Sequence, residues 1–480
     1  MTTLDFAPVP AEAPGTPPAP AREGLYRPPA PYAVGPTRAL VRALVNAERD
    51  LITLLPGEAY RALDVKLGRS RRSIFLINDP LTVQRVMVGE RERFPKNDLM
   101  VGALAPLVGE GLFVSEGEVW ARQRRMIDPA FAHMRVSQAY RHMAAAVADA
   151  EPRLDAAAAG GAALSLEAEM SHLTADIVFR TIFSERLEDG AAARVFDAFA
   201  RFQRAVANVE LRHLLLSPAW VEVRQPRAAR EASAELRALV GEMLDRRLAM
   251  ADRDLPDDIA ADVVRARDPE TGRGFTREEM LDQIGVFFLA GHETTASALT
   301  WAMFILSQSP GTVARMRREI ASVAGRGPIA ASHVKRLGFT RNVFREALRL
   351  YPPVTFLARV ALEDARLGDL DVPRGAMLLV SPWTMHRHER LWTAPDRFDP
   401  DRFAPGREEA IVPGAYLPFG HGPRLCIGTA FALMEAVTIL AAWTRRYDVE
   451  ALSPRRVRPV ARLTTRPARE IMVRLHRMAG

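Results

Sequence analysis

The chain has 480 residues and a single cysteine, Cys426. No intramolecular disulfide can form, and a cysteine-held iron–sulfur cluster is excluded. One cysteine fits a reducing compartment, so a cytoplasmic location is expected. Lysine is nearly absent: it occurs only at Lys66, Lys96 and Lys335, so almost all of the 65 basic residues are arginine. The 58 acidic residues are interspersed among them. No continuous basic stripe exists for a nucleic acid, and a net charge of +7 supports at most a preference for an acidic protein partner. No secretory leader is expected either. Residues 1–34 are rich in proline and alanine, without a basic start followed by an apolar stretch, and read as a disordered arm. No transmembrane anchor is expected before the body of the chain, and no dinucleotide- or flavin-binding domain after Gly480.

What is present concentrates around the lone cysteine. It lies in Phe419-Gly-His421-Gly422-Pro-Arg424-Leu-Cys426-Ile-Gly428, and a strong helical run starts at Thr429. The glycines let backbone approach a flat ligand closely. A cysteine just before a helix N-terminus has its thiolate stabilised by the positive dipole end. A thiolate is an axial ligand that haem iron accepts. The alternative is a buried structural cysteine, and the arginine and glycine spacing tells against it.

The longest readable element starts at Thr276, which with Glu279 forms a capping box, and stops at Ser309-Pro310-Gly311. It is apolar on nearly every side, so burial through the core is expected. A membrane span is the competing reading. Glu293 at its centre opposes that, since a central acid costs ~2.5–3.5 kcal/mol on insertion scales. Around it lie Ala290-Gly291-His292-Glu293-Thr294-Thr295. Gly291 removes a side chain where a ligand could approach. A threonine hydroxyl here can bond a carbonyl one turn back and bend the helix. A carboxylate and a hydroxyl together suit proton transfer; the alternative is a polar kink with local hydrogen bonds.

Trp120 and Arg124 share a helix face, where an indole N–H and a cation suit a carboxylate; a plain amphipathic helix is the alternative. Glu346 and Arg349 also share a face, on a helix that ends at Pro352-Pro353. Elsewhere the pattern predicts helix over 36–60, a strand over 73–78 and an Asp79-capped helix to Val88. An irregular segment is expected at 94–113, two helices in 136–183 and more in 191–250. Short strands follow in 354–380. Residues 457–463 and 470–475 are expected to pair as a terminal hairpin whose turn, Thr464-Thr465, reaches a pocket.

Phe419, Gly422, Arg424, Cys426 and Gly428 match Phe-x-x-Gly-x-Arg-x-Cys-x-Gly, which resembles the haem-binding loop of the cytochrome P450 monooxygenases. The segments around Thr294, Glu346 and Arg402 resemble further motifs of that family, in the same order. The resemblance implies one mainly α domain with small β-sheets (α+β) over 35–480, of the soluble bacterial type. It implies one haem b with Cys426 as axial thiolate, Phe419 and Gly428 in its loop, and O2 as co-substrate. Thr294 then stabilises bound dioxygen and Glu293 helps deliver protons. Trp120, Arg124, Arg359, His421 and Arg424 are candidates to share the two haem propionates, though not all five are needed. Glu346, Arg349 and Arg402 form a structural network, with Arg397 as a rival third member. Electrons come from NAD(P)H through a separate reductase and a ferredoxin or flavodoxin, with Arg122 and Arg125 as docking candidates. The substrate is apolar: a lipid, terpenoid, steroid or aromatic compound. Its pocket walls are expected from 94–113, 195–245, Phe287-Phe288 and 354–357. A peroxide-driven peroxygenase and a non-catalytic haem-thiolate binder are the alternatives.

Overall fold

Thr276 caps the long apolar run as its sequence requires. Its hydroxyl accepts the Glu279 N–H at 3.2 Å, and the Glu279 carboxylate accepts the Thr276 N–H at 2.8 Å. One helix of 31 residues, Arg277–Ser307, results, and Pro310 starts the next. The computed structural model describes residues 25–31, 34–35, 50–69, 73–188, 190–206 and 226–478. The longer helices in chain order are α1 (Asp98–Val108), α2 (Gly117–Ile127), α3 (His133–Ala159), α4 (Leu166–Phe183), α5 (Gly190–Val206), α6 (Arg227–Leu248), α7 (Arg277–Ser307), α8 (Pro310–Ala324), α9 (Gly338–Leu350) and α10 (Thr429–Arg446).

Helix α7 is buried along most of its length, and two apolar cores meet along it. One joins its C-terminal half to α3, α9 and α10; the other joins its N-terminal half to α4, α5 and α6. Beside them lies a four-stranded sheet of β1 (Asp64–Arg69), β2 (Ser73–Ile77), β3 (Leu357–Val360) and β4 (Met377–Val380), in the order β1-β2-β4-β3. Only the β2–β4 pair is parallel. A short hairpin of β5 (Pro459–Ala461) and β6 (Thr465–Pro467) reaches α7 near the C-terminus. The Thr465 carbonyl there accepts Ser297 Oγ at 2.6 Å and the Trp301 indole at 2.8 Å. The fold is mainly α with small β-sheets, as the resemblance implies. No helix among the described residues is long and apolar enough to cross a membrane.

Four expectations need correction. Of the helix expected over 36–60, residues 36–49 lie outside the described residues. The rest is two 3-10 turns, Leu51–Leu54 and Gly57–Tyr60, because Pro56 interrupts the run. The segment 94–113 holds α1, although Gly102 and Pro106 disfavour helix. Burial of Leu104, Leu107 and Val108 against the second core overrides that propensity. The strand Met472–Arg477 does not pair with 457–463; it lies between Tyr447–Ala451 and Ala163–Ser165. Gly291 opens space for a neighbouring helix: a Cβ there would meet Val178 Cγ2 of α4 at 3.1 Å.

Residues 1–24 of the proline-rich arm lie outside the described residues. From Leu25 the chain runs extended against the body. The Pro29 carbonyl accepts the Tyr351 hydroxyl at 2.6 Å, and the Tyr26 carbonyl accepts the Phe398 N–H at 2.9 Å.

Candidate functional site

The loop before α10 is shaped by its own backbone. Gly420 and Gly422 have φ of +83° and +71°, the left-handed region that favours glycine. The Cys426 N–H donates to the Phe419 carbonyl at 2.9 Å and closes the loop. Gly422 is also needed for space: a Cβ would meet Val88 Cγ2 at 2.6 Å and the Met87 carbonyl at 3.0 Å. The Thr429 hydroxyl donates to the Cys426 carbonyl at 2.8 Å, fixing the step into the helix. The Cys426 thiol is accessible, yet protein surrounds it closely enough that burial raises its pKa. The Gly428 N–H, the Thr429 hydroxyl and Arg124 pull the other way without winning.

Around this loop the structure divides the five proposed carboxylate binders. Arg424 stacks on the Trp120 ring at 4.0 Å and donates to the Ser115 carbonyl at 2.8 Å and to Glu116. Arg359, on β3, is buried, with Nη1 donating to the Ala358 carbonyl at 3.0 Å. Arg124 instead steadies the loop, donating to the Leu425 carbonyl at 2.9 Å and to Asp128 at 2.6 Å. His421 turns away and hydrogen-bonds Gln84. Sequence reasoning missed Lys96, which joins Arg424 and Arg359 and donates from Nζ to the Phe113 carbonyl. Burial, then repulsion from Arg424, brings Lys96 down to about 7. Burial brings Arg424 down to about 10 and also lowers Arg359. Glu116 is the one anion acting on all three.

The loop is carried by a buried ion network. Arg349 donates to Glu346 at 2.7 and 2.8 Å, and Arg402 Nε donates to the same carboxylate at 3.2 Å. Glu346 and Arg349 are wholly inaccessible. The rival Arg397 contributes only its backbone carbonyl to Arg349, at 2.9 Å, while its side chain goes to the Leu25 carbonyl. His386 is a second missed residue. Its Nδ1 meets the Arg349 carbonyl at 3.2 Å, and its Nε2 accepts the Leu417 N–H at 2.9 Å, two residues before Phe419. The network thus reaches the cysteine loop through one imidazole.

At the centre of α7, the Thr294 hydroxyl donates to the Ala290 carbonyl at 2.6 Å, one turn back as expected. Glu293 is buried and well partnered. It accepts from Arg466 Nε at 2.7 Å and Thr464 Oγ1 at 2.5 Å, and also from Arg466 Nη2 and Gln203. Burial alone would raise its pKa; the Arg466 charge outweighs that and holds it below the ordinary glutamate value. Beside it His292 donates to or accepts from Ser171 at 2.8 Å, and burial lowers it to about 4. The Thr464 turn thus reaches α7. Phe287 and Phe288 pack edge-on against Phe131, and against Phe179 and Phe199. Arg122 and Arg125 are paired within the chain, to Glu279 and to Glu270.

Known proteins with this arrangement are numerous. The family model described as Cytochrome P450 matches residues 61–474. Cyclooctatin synthase of Streptomyces melanosporofaciens is 34% identical, with 89% of this chain and 92% of that protein covered. Cyclooctat-9-en-7-ol 5-monooxygenase of the same organism is also 34% identical, covering 83% of each. A cytokinin hydroxylase of Arabidopsis thaliana is 32% identical over 76% of this chain and 72% of its own. Among solved structures, the cytochrome P450DA heme domain superposes with a TM-score of 0.77 at 25% identity, covering 87% of this chain and 90% of that one. The shared sequence spans the cysteine loop, the long helix and the ion network alike, and this chain belongs to the cytochrome P450 family of haem-dependent monooxygenases.

Proposed function

We propose that the chain inserts one oxygen atom from O2 into a C–H or C=C bond of an apolar, ring-bearing terpenoid alcohol or alkene. Haem b is its cofactor, and its electrons come from NAD(P)H through a separate ferredoxin or flavodoxin. The observation that carries this reading is the Cys426 loop lying beside a partly buried surplus of positive charge. Lys96, Arg359 and Arg424 are costly to bury with Glu116 as their shared anion. A group bearing two carboxylates relieves that cost, and haem has two. The residues present therefore fit haem: Cys426 would ligate the iron, giving up its proton to do so. Arg424, Arg359 and Lys96 would hold the propionates, with Trp120 stacked behind Arg424. Arg124 keeps the loop carbonyl in place.

Haem bound there supplies the activation of dioxygen; the chain's own groups supply protons and exclude water. Thr294 holds a hydroxyl proton on the helix, and Glu293 is the nearest acid in sequence able to replenish it. The terpenoid class rests on the likeness to the two Streptomyces relatives, one of which is named for a cyclic alkenol. The test is a titration of the holoenzyme with cyclic and acyclic terpene alcohols, followed by turnover of the best ligand. Terpene alcohols should shift the iron to high spin, and Thr294→Ala should divert most electrons into peroxide. No spin shift with any of them removes the substrate class; unchanged coupling in T294A removes Thr294 from its role.

A further inference from the structure

A groove of about 160 Å³ lies where the described chain begins. Leu25 lines it, together with Trp392, Thr393, Ile411, Arg402 and Arg407. Arg397 pins the chain there, its Nη1 donating to the Leu25 carbonyl at 2.9 Å. Two features of the groove are unsatisfied. The Thr393 hydroxyl oxygen is buried and has no hydrogen-bond partner among the described residues, a costly state. Arg402 is buried and has no carboxylate of its own. Arg349 and Arg402 share Glu346, while Arg407 takes Asp399 at 3.1 Å. Three guanidinium groups on two carboxylates leave one positive charge in excess, partly out of water.

The chain just before Leu25 reads Pro17-Pro18-Ala19-Pro20-Ala21-Arg22-Glu23-Gly24. We propose that the groove seats this stretch of the chain's own arm, with the Glu23 carboxylate on Arg402 and Arg407. Two residues of extended chain span at most about 7 Å, so Glu23 stays beside the groove that Leu25 lines. Arg22 points to the opposite side of an extended chain, toward solvent. Proline-rich stretches lose little freedom on docking, suit grooves with an aromatic wall such as Trp392, and keep their carbonyls unbonded. One of those carbonyls accepts the Thr393 hydroxyl. The seat also acts at a distance. Arg402 holds Glu346, and Glu346 leads through Arg349 and His386 to Leu417 at the start of the cysteine loop. A carboxylate of its own steadies Arg402, and with it the loop.

The test uses the full-length holoenzyme with engineered cysteine pairs, oxidised at low protein concentration. Ala410 lines the groove and is exposed, so it takes one cysteine. Ala21→Cys with Ala410→Cys should close a disulfide within one chain about tenfold faster than Ala11→Cys with Ala410→Cys. Adding Glu23→Arg should remove that advantage. A rate that E23R leaves unchanged overturns the seat, and disulfides joining two chains overturn it in favour of a second copy. E23R without added cysteines gives a second readout. The amide hydrogens of residues 391–411 should exchange severalfold faster in it than in wild type; equal exchange also overturns the seat. Transfer of haem to apomyoglobin should be severalfold faster in E23R as well. A lost cross-link with wild-type haem transfer keeps the seat and removes its coupling to the cysteine loop.

Discussion

Lys96 is half-buried beside Arg359 and Arg424, and the desolvation there lowers it to about 7 from its ordinary 10.5. The folded protein therefore binds fewer protons than the unfolded chain between those values. The penalty on stability is full below about 7 and fades as pH rises toward 10.5. A propionate bound nearby restores the charge. Haem binding near pH 8 should thus return a proton to Lys96 while Cys426 gives one up, leaving little net exchange by calorimetry in buffers of different ionisation enthalpy, and Lys96→Met should turn this into release of about one proton. An equal proton balance in K96M and the native protein would place the propionates elsewhere. Some residues could be read from sequence because their partners are near. Thr276 and Glu279 stand three apart, as do Glu346 and Arg349, and helix geometry decides their contact. Lys96, His386 and Arg466 could not. Each acts on residues far along the chain, such as Arg424, Leu417 and Glu293, and no local spacing marks such a contact.

At the scale of elements, α7 was legible from end to end because a cap, an unbroken apolar run and a proline stop all agreed. Helix α1 was not, since its glycine and proline argued for a loop and only tertiary burial argued otherwise. The cysteine loop depends on elements that precede it by many residues. Glu346 on α9 holds Arg349 and Arg402, and Arg349 leads through His386 to Leu417. Glu346→Ala would leave two buried guanidinium groups without their anion. It should cost roughly 3–5 kcal/mol, the range for breaking a buried pair by removing one partner. Chemical denaturation of the holoenzyme measures this. A loss typical of an exposed pair, under about 1 kcal/mol, would show that the network carries no load.

For the whole molecule, composition spoke least. Many of the arginines behind the +7 charge are paired within the chain, as Arg122, Arg125 and Arg349 are, so net charge alone singles out no partner. The order of motifs spoke most, because a cysteine loop, a polar break in a buried helix and an ion network must converge in space to be useful together. Part of this convergence is visible: the hairpin β5–β6 and helix α4 meet the centre of α7, and α10, which follows the cysteine loop, packs against α7. The substrate was not legible. Phe287 and Phe288, expected at the pocket, are tied into an aromatic core. The central claim is that Cys426 is the axial ligand of a haem. Its most direct test is the absorption spectrum of the purified protein, reduced and saturated with carbon monoxide, beside the same spectrum of Cys426→Ser. The account expects a strongly red-shifted Soret band in the native protein and its loss in the variant. A band at the position of histidine-ligated haem in both proteins, or no haem at all, would contradict it.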